Sequence, residues 1–177
     1  MSNLYSPIFV GPSPDWFSPE MLAHAAALIE SFHSKTGREL VRKTLLQSDP
    51  QEAARKLFML TDTVVVSHGT QSALPHGPIL NYGNTAALGL WGATWEQLTT
   101  MPSKFTAEPM ERDARAEFMR KVTENGLVDD YAGVRIALDG SRFRIIGASV
   151  WNVQVGGRYL GQAACFSKWT DLGDEPL

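Results

Sequence analysis

The sequence has only one cysteine, Cys165, and this scarcity sets the first limit on the kind of protein it encodes. Because a disulfide needs two thiols, no disulfide can form within the chain. Few cysteines are typical of proteins from reducing compartments. Apolar residues make up 44% of the sequence, a proportion typical of globular rather than disordered proteins.

An excess of charge of either sign is also missing. The chain has 16 lysines and arginines against 19 aspartates and glutamates, a formal net charge of -3. Without a basic excess, binding to nucleic acid or to an anionic membrane through bulk charge is not expected. We therefore expect neither nucleic acid nor membrane among the partners.

Long apolar runs are absent as well. The longest weakly polar stretch, MLAHAAALI at residues 21–29, is far too short to span a membrane as a helix. Residues 1–19 have no basic residue ahead of their apolar ones and contain several prolines, unlike a signal peptide. We expect a cytoplasmic protein that starts with an irregular arm over residues 1–17.

Helix signals are concentrated in residues 18–60. Ser18-Pro19-Glu20 combines a capping serine, a proline in the first turn and an early acid. One apolar stripe follows at helical spacing, formed by Met21, Leu22, Ala25, Leu28, Ile29 and Phe32. The stretch TGRE at residues 36–39 fits a capping box for a second helix, and Asp49-Pro50 fits the start of a third. We predict a helical N-terminal segment over residues 18–60.

Strand signals dominate residues 61–170. A β-branched run at residues 63–67 predicts one strand. A second strand is predicted at residues 79–82, and it leads through Gly83-Asn84 directly into a helix. After a longer helix near residues 107–124, Asp139-Gly140 and Gly156-Gly157 separate three further strands. This order predicts an α+β domain, a five-stranded antiparallel sheet with helices on one face, and a C-terminal tail at residues 171–177.

The strands flanking the Asp139-Gly140 turn show charge alternation. Val134 and Ile136 alternate with Arg135, and Phe143 is flanked by arginines, including Arg144. Period-two alternation predicts that one side of a strand faces the core and the other faces water. Val134 and Ile136 are thus expected inside, and Arg135 and Arg144 outside, solvated or paired with acids.

Several of these segments resemble a known family. Residues 79–98 are similar to the start of a PAS domain. NYGNTAALGLW, MPSKFTAEP, DYAGVRI and GQAACFSKW resemble the bacterial branch of the PAS-like MEKHLA domain family. The resemblance implies a PAS-like MEKHLA domain over residues 61–170 that serves in sensing, ligand binding or regulated assembly. Nothing resembles a homeodomain or a leucine zipper, so the transcriptional role of plant relatives is not implied.

The PAS resemblance also implies a cavity between the helices and the sheet. The candidate binding residues are aromatic and apolar side chains of the expected wall together with a few polar ones: Tyr82, Asn84, Trp91, Trp95, Phe105, Arg112, Arg115, Val134, Ile136, Phe143, Trp151, Gln162 and Phe166. Aromatic walls with a few polar groups suit an apolar or aromatic small molecule. Alternatively, the aromatics fill the core, Asn84 caps its helix, and the arginines pair with nearby acids.

No cofactor is named by the sequence. Gln162 is similar to the flavin-facing glutamine of LOV proteins, but the stretch TTMPSKFTAEP lacks the cysteine that their photochemistry needs, and Cys165 lies on another element. Haem would need an axial ligand, usually histidine, on the long helix, which has none. His68 and His76 with Asp62 match no standard metal spacing, so no metal is expected.

Three functions stay open at this point. The first is a stand-alone PAS-like sensor or small-molecule-binding module that acts by ligand-dependent conformational change or assembly. The second is a small enzyme for an apolar metabolite, less favoured because the expected wall carries few titratable groups and no G-x-S-x-G motif occurs. The third is a structural dimerisation domain. PAS-like domains often pair through N-terminal helices, which favours a homodimer through the apolar stripe, although that stripe could equally cover its own sheet.

Overall fold

The computed structural model describes residues 18–108 and 112–173, apart from the side chains of Ser72 and Arg115. The helices are α1 (Pro19–Thr36), α2 (Lys43–Ser48), α3 (Pro50–Met59), α4 (Thr85–Trp91), α5 (Trp95–Thr99) and α6 (Arg112–Asn125), with a 3₁₀ helix at Ser103–Thr106. The strands are β1 (Val64–Ser72), β2 (Pro78–Gly83), β3 (Leu127–Ile136), β4 (Arg142–Val155), β5 (Arg158–Phe166) and β6 (Lys168–Gly173). The arm predicted at residues 1–17 and tail residues 174–177 lie outside the described residues.

The strands form one antiparallel sheet in the order β2-β1-β5-β4-β3, with β6 also paired to β4. Strand β6 continues β5 beyond Ser167, so β4 pairs with β6 at Ile145↔Trp169 and with β5 at Trp151↔Ala163. The predicted α+β architecture is confirmed. The sequence predicted five strands, and the sixth takes up residues 171–173 of the predicted tail because the first half of β4 offers backbone groups for pairing there.

The sequence predicted helices on one face of the sheet, and neighbouring side chains of β4 show that α1, from the N-terminal segment, covers the other face as well. The indole Nε1 of Trp151 donates a hydrogen bond to Ser31 of α1 at 3.0 Å. The amide of Asn152, the next residue, donates to the carbonyl oxygen of Thr123 in α6 at 3.2 Å. Since successive side chains of a strand point to opposite faces, α6 lies on one face and α1 on the other. We call the face covered by α6 the inner face and the face covered by α1 the outer face.

The apolar stripe of α1 covers the outer face of its own sheet. Leu28, Ile29 and Phe32 are 0%, 1% and 3% exposed, and the ring of Phe32 stands edge-on to Trp151 with the ring centres 4.9 Å apart. Arg38, just after α1, donates to Ser149 of β4 at 2.7 Å. Of the two placements open from the sequence, the stripe takes the one within the chain.

The second helix begins at Lys43, which corrects the capping-box prediction for residues 36–39. Gly37 adopts a left-handed conformation, with φ of 71°, and its N–H donates to the carbonyl oxygen of His33 at 2.8 Å. Glu39 accepts a hydrogen bond from the backbone N–H of Lys43 at 3.0 Å. The motif therefore ends α1 as a glycine C-cap, and α2 starts four residues later than Glu39.

The junction between β2 and α4 is organised by Asn84, which is fully buried. Its side-chain oxygen accepts from the backbone N–H groups of Ala87 at 3.1 Å and Val65 at 3.0 Å, and its side-chain nitrogen donates to Thr63 at 2.7 Å. Asn84 thus caps α4 and ties it to β1. This orientation places Trp91, at the end of α4, over the inner face. No helix within the described residues is long and apolar enough to cross a membrane.

Candidate functional site

A cavity of about 60 Å³ lies between the inner face of the sheet and the helices that cover it. Strands β1 to β5 all contribute to one side, while α4, α5, the 3₁₀ helix and α6 contribute to the other. Its apolar walls include Val66, Leu80, Leu98, Phe118, Ile145 and Val150. One water needs roughly 10–15 Å³ of such space, so this volume holds roughly four to six non-hydrogen atoms.

Arg135 brings a positive charge to the wall of this cavity. The residue is 7% exposed, and its guanidinium donates to the carbonyl oxygen of Val134 and to the hydroxyl of Tyr131, both at 2.8 Å. The guanidinium also lies over the Tyr131 ring, 5.3 Å from its centre. Among residues 18–108 and 112–173, no carboxylate comes within ion-pair distance of it.

The prediction that Arg135 faces solvent or an acid was therefore wrong. The hairpin register pairs Arg135 with Phe143, whose ring is 2% exposed on the inner face. Directly opposed residues of an antiparallel pair share a face, so Arg135 points inward and its neighbours Val134 and Ile136 do not line the cavity. The signal that could have found Arg135 is this register, set by the Asp139-Gly140 turn.

Trp91 lines the same cavity from the end of α4. It is 2% exposed and packs edge-on against Phe143 and Phe166, with ring centres 5.1 and 6.3 Å away. Its indole Nε1 is buried without a hydrogen-bond partner among the described residues. Buried donors are normally paired, so this N–H leaves an unsatisfied donor in the cavity wall.

Gln162 joins the cavity wall to helix α6. Its amide nitrogen lies 2.9 Å from the hydroxyl of Thr123, 3.3 Å from the carbonyl oxygen of Met119 and 3.2 Å from the side-chain oxygen of Asn152. Met119 and Gln162 both line the cavity. The same side chains therefore line the cavity and hold α6 to the sheet.

His68 adds a second polar side chain that the sequence analysis did not assign to the cavity. It lines the cavity from β1, is 8% exposed, and its Nδ1–H donates to the carbonyl oxygen of Gly69 at 3.0 Å. No motif marked it, because its inward position follows only from the pairing of β1 with β5 opposite Gln162.

Of the predicted binding residues, Trp91, Gln162 and Phe166 line the cavity, and Phe143 stands behind Trp91. Four of the predicted aromatic residues, including Phe105, lie elsewhere. Trp151 packs under α1. Tyr82 contacts His24 of α1, with ring centres 5.7 Å apart, and Trp95 packs edge-on against Tyr82 at 5.7 Å.

The remaining predicted residues also lie away from the cavity lining. The side chain of Asn84 forms its hydrogen bonds within the junction between β2 and α4. Phe105 and Arg112 contact each other, with the guanidinium 5.1 Å from the ring centre, and Arg112 Nε is buried without a partner among the described residues. Arg115 belongs to α6, and its side chain lies outside the described part of the chain.

A serine and a histidine also meet on the outer face. Nε2 of His24 lies 2.9 Å from the hydroxyl of Ser67, and that hydroxyl donates to the side-chain oxygen of Asn81 at 2.6 Å. Because Ser67 has a single proton and gives it to Asn81, the imidazole is the donor to Ser67. Burial lowers the pKa of His24 to about 4. His24 therefore does not act as a base towards Ser67, and the pair is not an activated nucleophile.

The only thiol is on the opposite side of the sheet from the cavity. Cys165 is 8% exposed and pairs with Val65 and Ser149 on the neighbouring strands. Its neighbours Ala164 and Phe166 line the cavity, so the Cys165 side chain points to the outer face. Burial raises the pKa of the Cys165 thiol to about 12. Across residues 18–108 and 112–173, no group of three histidine, cysteine or acidic side chains is placed to hold a metal ion.

Comparison with known proteins shows the family. The model of the MEKHLA domain matches residues 22–171, well over half of the chain. The chain belongs to the MEKHLA domain family. The match begins inside α1 and reaches β6, so in this MEKHLA protein it takes in α2, α3 and nearly the whole described sheet. No curated protein matches the sequence.

Solved structures show that this MEKHLA domain has a PAS-like fold. The PAS domain of a protein from Colwellia psychrerythraea matches with a TM-score of 0.56 at 16% identity, covering 72% of this chain and 100% of that domain. An RNA-binding light-oxygen-voltage receptor matches with a TM-score of 0.51 at 21% identity, covering 76% of this chain but 35% of the receptor. At such identities the likeness shows the fold alone.

Proposed function

We propose that this MEKHLA-family protein is a small-molecule-binding sensory module whose ligand occupies the inner-face cavity. The observation that carries the proposal is the unpartnered indole N–H of Trp91 in a mainly apolar, helix-covered wall that carries a few polar side chains. Buried apolar pockets with a few polar groups are the usual form of ligand sites. A ligand acceptor atom would pair this donor.

Ligand binding would be transmitted through helix α6. Phe118 and Met119 of α6 line the cavity, and Gln162 hydrogen-bonds to the same helix. Of the α6 residues whose burial is described, Val122 alone is buried. Elements with few buried contacts open at low free-energy cost, so α6 is the element that a ligand would most readily shift.

The size of the cavity limits the ligand. Sites for drug-sized ligands are roughly 300–1,000 Å³, whereas this cavity is about 60 Å³. A flavin or a haem would require the cavity to expand several-fold. The proposed ligand is therefore a compact molecule, which is a smaller range of compounds than the apolar or aromatic ligands that the sequence suggested.

Assembly is a separate part of the proposal. The stripe of α1 that favoured a homodimer covers the chain's own sheet, with Leu28 fully buried. A homodimer through that stripe would require α1 to leave the outer face. Ligand-dependent assembly would instead use another surface or follow such a release, and light scattering with and without ligand would distinguish the two from a constant monomer.

The test is to identify small molecules released by denaturing the protein purified from its own organism. Ala148 is 1% exposed and lines the cavity, so Ala148→Leu adds three carbon atoms inside it. Ala132→Leu, at an exposed position of β3, is the matched control. We expect the unmodified protein and Ala132→Leu to release the same compound and folded Ala148→Leu to release far less. Equal release from all three proteins would place the ligand elsewhere and refute the proposal.

A further inference from the structure

The charge balance of the cavity wall identifies a chemical class of ligand. Its described lining contains the guanidinium of Arg135 and the imidazole of His68 but no aspartate or glutamate. Arg135 is 7% exposed, and its two hydrogen-bond acceptors, the Val134 carbonyl and the Tyr131 hydroxyl, are neutral. A buried charge without a counter-charge is strongly unfavourable, so the unliganded site is short of one negative charge.

The hydrogen-bonding groups point to the same deficit. Arg135 has only donors, and the Trp91 indole N–H is a donor without a partner among the described residues. The amide nitrogen of Gln162 is already used towards α6 and Asn152. The cavity therefore offers donors to a ligand that supplies acceptor atoms.

Most of the remaining wall is apolar and the space is small. Leu80, Leu98, Ile145 and Val150 surround a volume of about 60 Å³, enough for roughly four to six non-hydrogen atoms. A second anionic group on the ligand would meet apolar side chains and be left unpaired. Inorganic phosphate would satisfy the charge but would leave its other oxygens against the same apolar wall.

We propose that the cavity binds a short-chain aliphatic monocarboxylate, with its carboxylate on Arg135 and Trp91 and its alkyl chain among the leucine, isoleucine and valine side chains. The carboxylate supplies the missing charge and the missing acceptors, and the chain fills the apolar remainder. Acetate, propionate and butyrate, with four, five and six non-hydrogen atoms, fit the roughly four to six allowed. This inference rests on the proposed function, because it takes the cavity to be a ligand site.

The test measures binding of acetate, propionate, butyrate, hexanoate, 1-butanol and inorganic phosphate by calorimetry and by thermal unfolding. We expect propionate or butyrate to bind most tightly and to raise the midpoint of unfolding. Hexanoate should bind more weakly because it exceeds the volume, and phosphate and 1-butanol because each supplies only half of the recognition. A response to phosphate as strong as that to butyrate would overturn the carboxylate assignment.

Arg135→Met replaces the guanidinium by an apolar side chain, and Arg144→Met makes the same change at an exposed position of β4. We expect Arg135→Met to lose butyrate affinity by a factor on the order of ten or more, while 1-butanol binding is kept. Arg144→Met should bind butyrate like the unmodified protein. If Arg135→Met fails to fold, Trp91→Phe keeps an aromatic side chain, although a smaller one, and removes the N–H, so it should weaken butyrate binding by several-fold.

Unchanged butyrate affinity in folded Arg135→Met, or in Trp91→Phe where Arg135→Met does not fold, would overturn the inference. The two proposals fail differently. If neutral compounds are released by denaturation and are lost in Ala148→Leu, the cavity is a ligand site but not for a carboxylate. If no compound binds and Ala148→Leu changes nothing, both proposals fall.

Discussion

Arg135 and Phe143 lie directly opposite each other in the hairpin of β3 and β4, and both point to the inner face of the sheet. Because cross-strand partners share a face, burying the Phe143 ring also buries the guanidinium. The packing of one hairpin thus places a positive charge in the wall of an apolar cavity. This relationship links the fold to the proposed ligand.

Trp151 is expected to be a core residue of the outer face and not a binding residue. Trp151→Ala should lower the free energy of unfolding by about 3–5 kcal/mol, the usual range for emptying a large buried site. Ser31→Ala, which removes the hydroxyl that accepts from the indole N–H and donates to the carbonyl oxygen of Ala27, should cost about 1–3 kcal/mol. Denaturant unfolding of both variants measures this, and a stable Trp151→Ala protein with impaired ligand retention would contradict it.

The apolar stripe of α1 can be tested with charges. Replacing Leu28 and Phe32 together by glutamate buries two charges under α1, so we expect unfolding or aggregation. Ala23→Glu with Ser34→Glu, at exposed positions of the same helix, should leave the fold intact. Circular dichroism and light scattering provide the readout. A change from dimer to folded monomer in the Leu28/Phe32 variant would instead identify the stripe as an intermolecular contact.

His24 is expected to make stability depend on pH. Burial lowers its pKa from 6.5 to about 4 in the folded state, so between these values the unfolded chain binds more protons. Stability therefore falls as the pH drops from about 6.5 towards about 4, by up to roughly 3 kcal/mol from this group. Denaturant unfolding across this range should show less dependence on pH in His24→Gln than in His33→Gln. Equal slopes in the two variants would rule out the buried neutral imidazole.

Cys165 is expected to be inert in the native protein. Its pKa, raised to about 12 by burial, keeps the thiol protonated and therefore a poor nucleophile near neutral pH. A thiol reagent should label it only as fast as the protein opens, and Cys165→Ser should leave the spectrum of any bound molecule unchanged. Immediate labelling, or a light-induced spectral shift that is lost in Cys165→Ser, would show that the thiol takes part in chemistry.

Local signals in the sequence predicted much of the fold. Ser18 caps α1, Asp49 caps α3 and Asn84 caps α4, all through side-chain oxygens that accept backbone hydrogen bonds. The α+β class and the adjacency of the last strands follow from such caps and from the two glycine turns. These features depend on residues close together in the chain, which is why a single sequence contains them.

The residues of the candidate site are set by contacts between segments that are far apart in the sequence. An apolar stripe does not say what covers it, so the position of α1 under Trp151 had to come from the structure. The alternation of charged and apolar residues around Arg135 indicates that one side of the strand faces the core, but not which residues lie on that side. Charge suggested that Arg135 lies on the solvent side, whereas the register of the hairpin places it on the inner face. Trp151 and Tyr82 are buried, as their aromatic side chains suggest, but they lie away from the cavity, which the sequence did not indicate.

A molecule bound in the inner-face cavity is expected to act on α6. The most direct measurement is amide hydrogen exchange of the protein stripped of bound compounds and of the same protein after those compounds are returned. We predict slower exchange within Arg112–Asn125 on reloading, little change within Pro19–Thr36, and loss of the effect in Ala148→Leu but not in Ala132→Leu. Exchange of α6 that is unaltered while the compound is retained would contradict the claim.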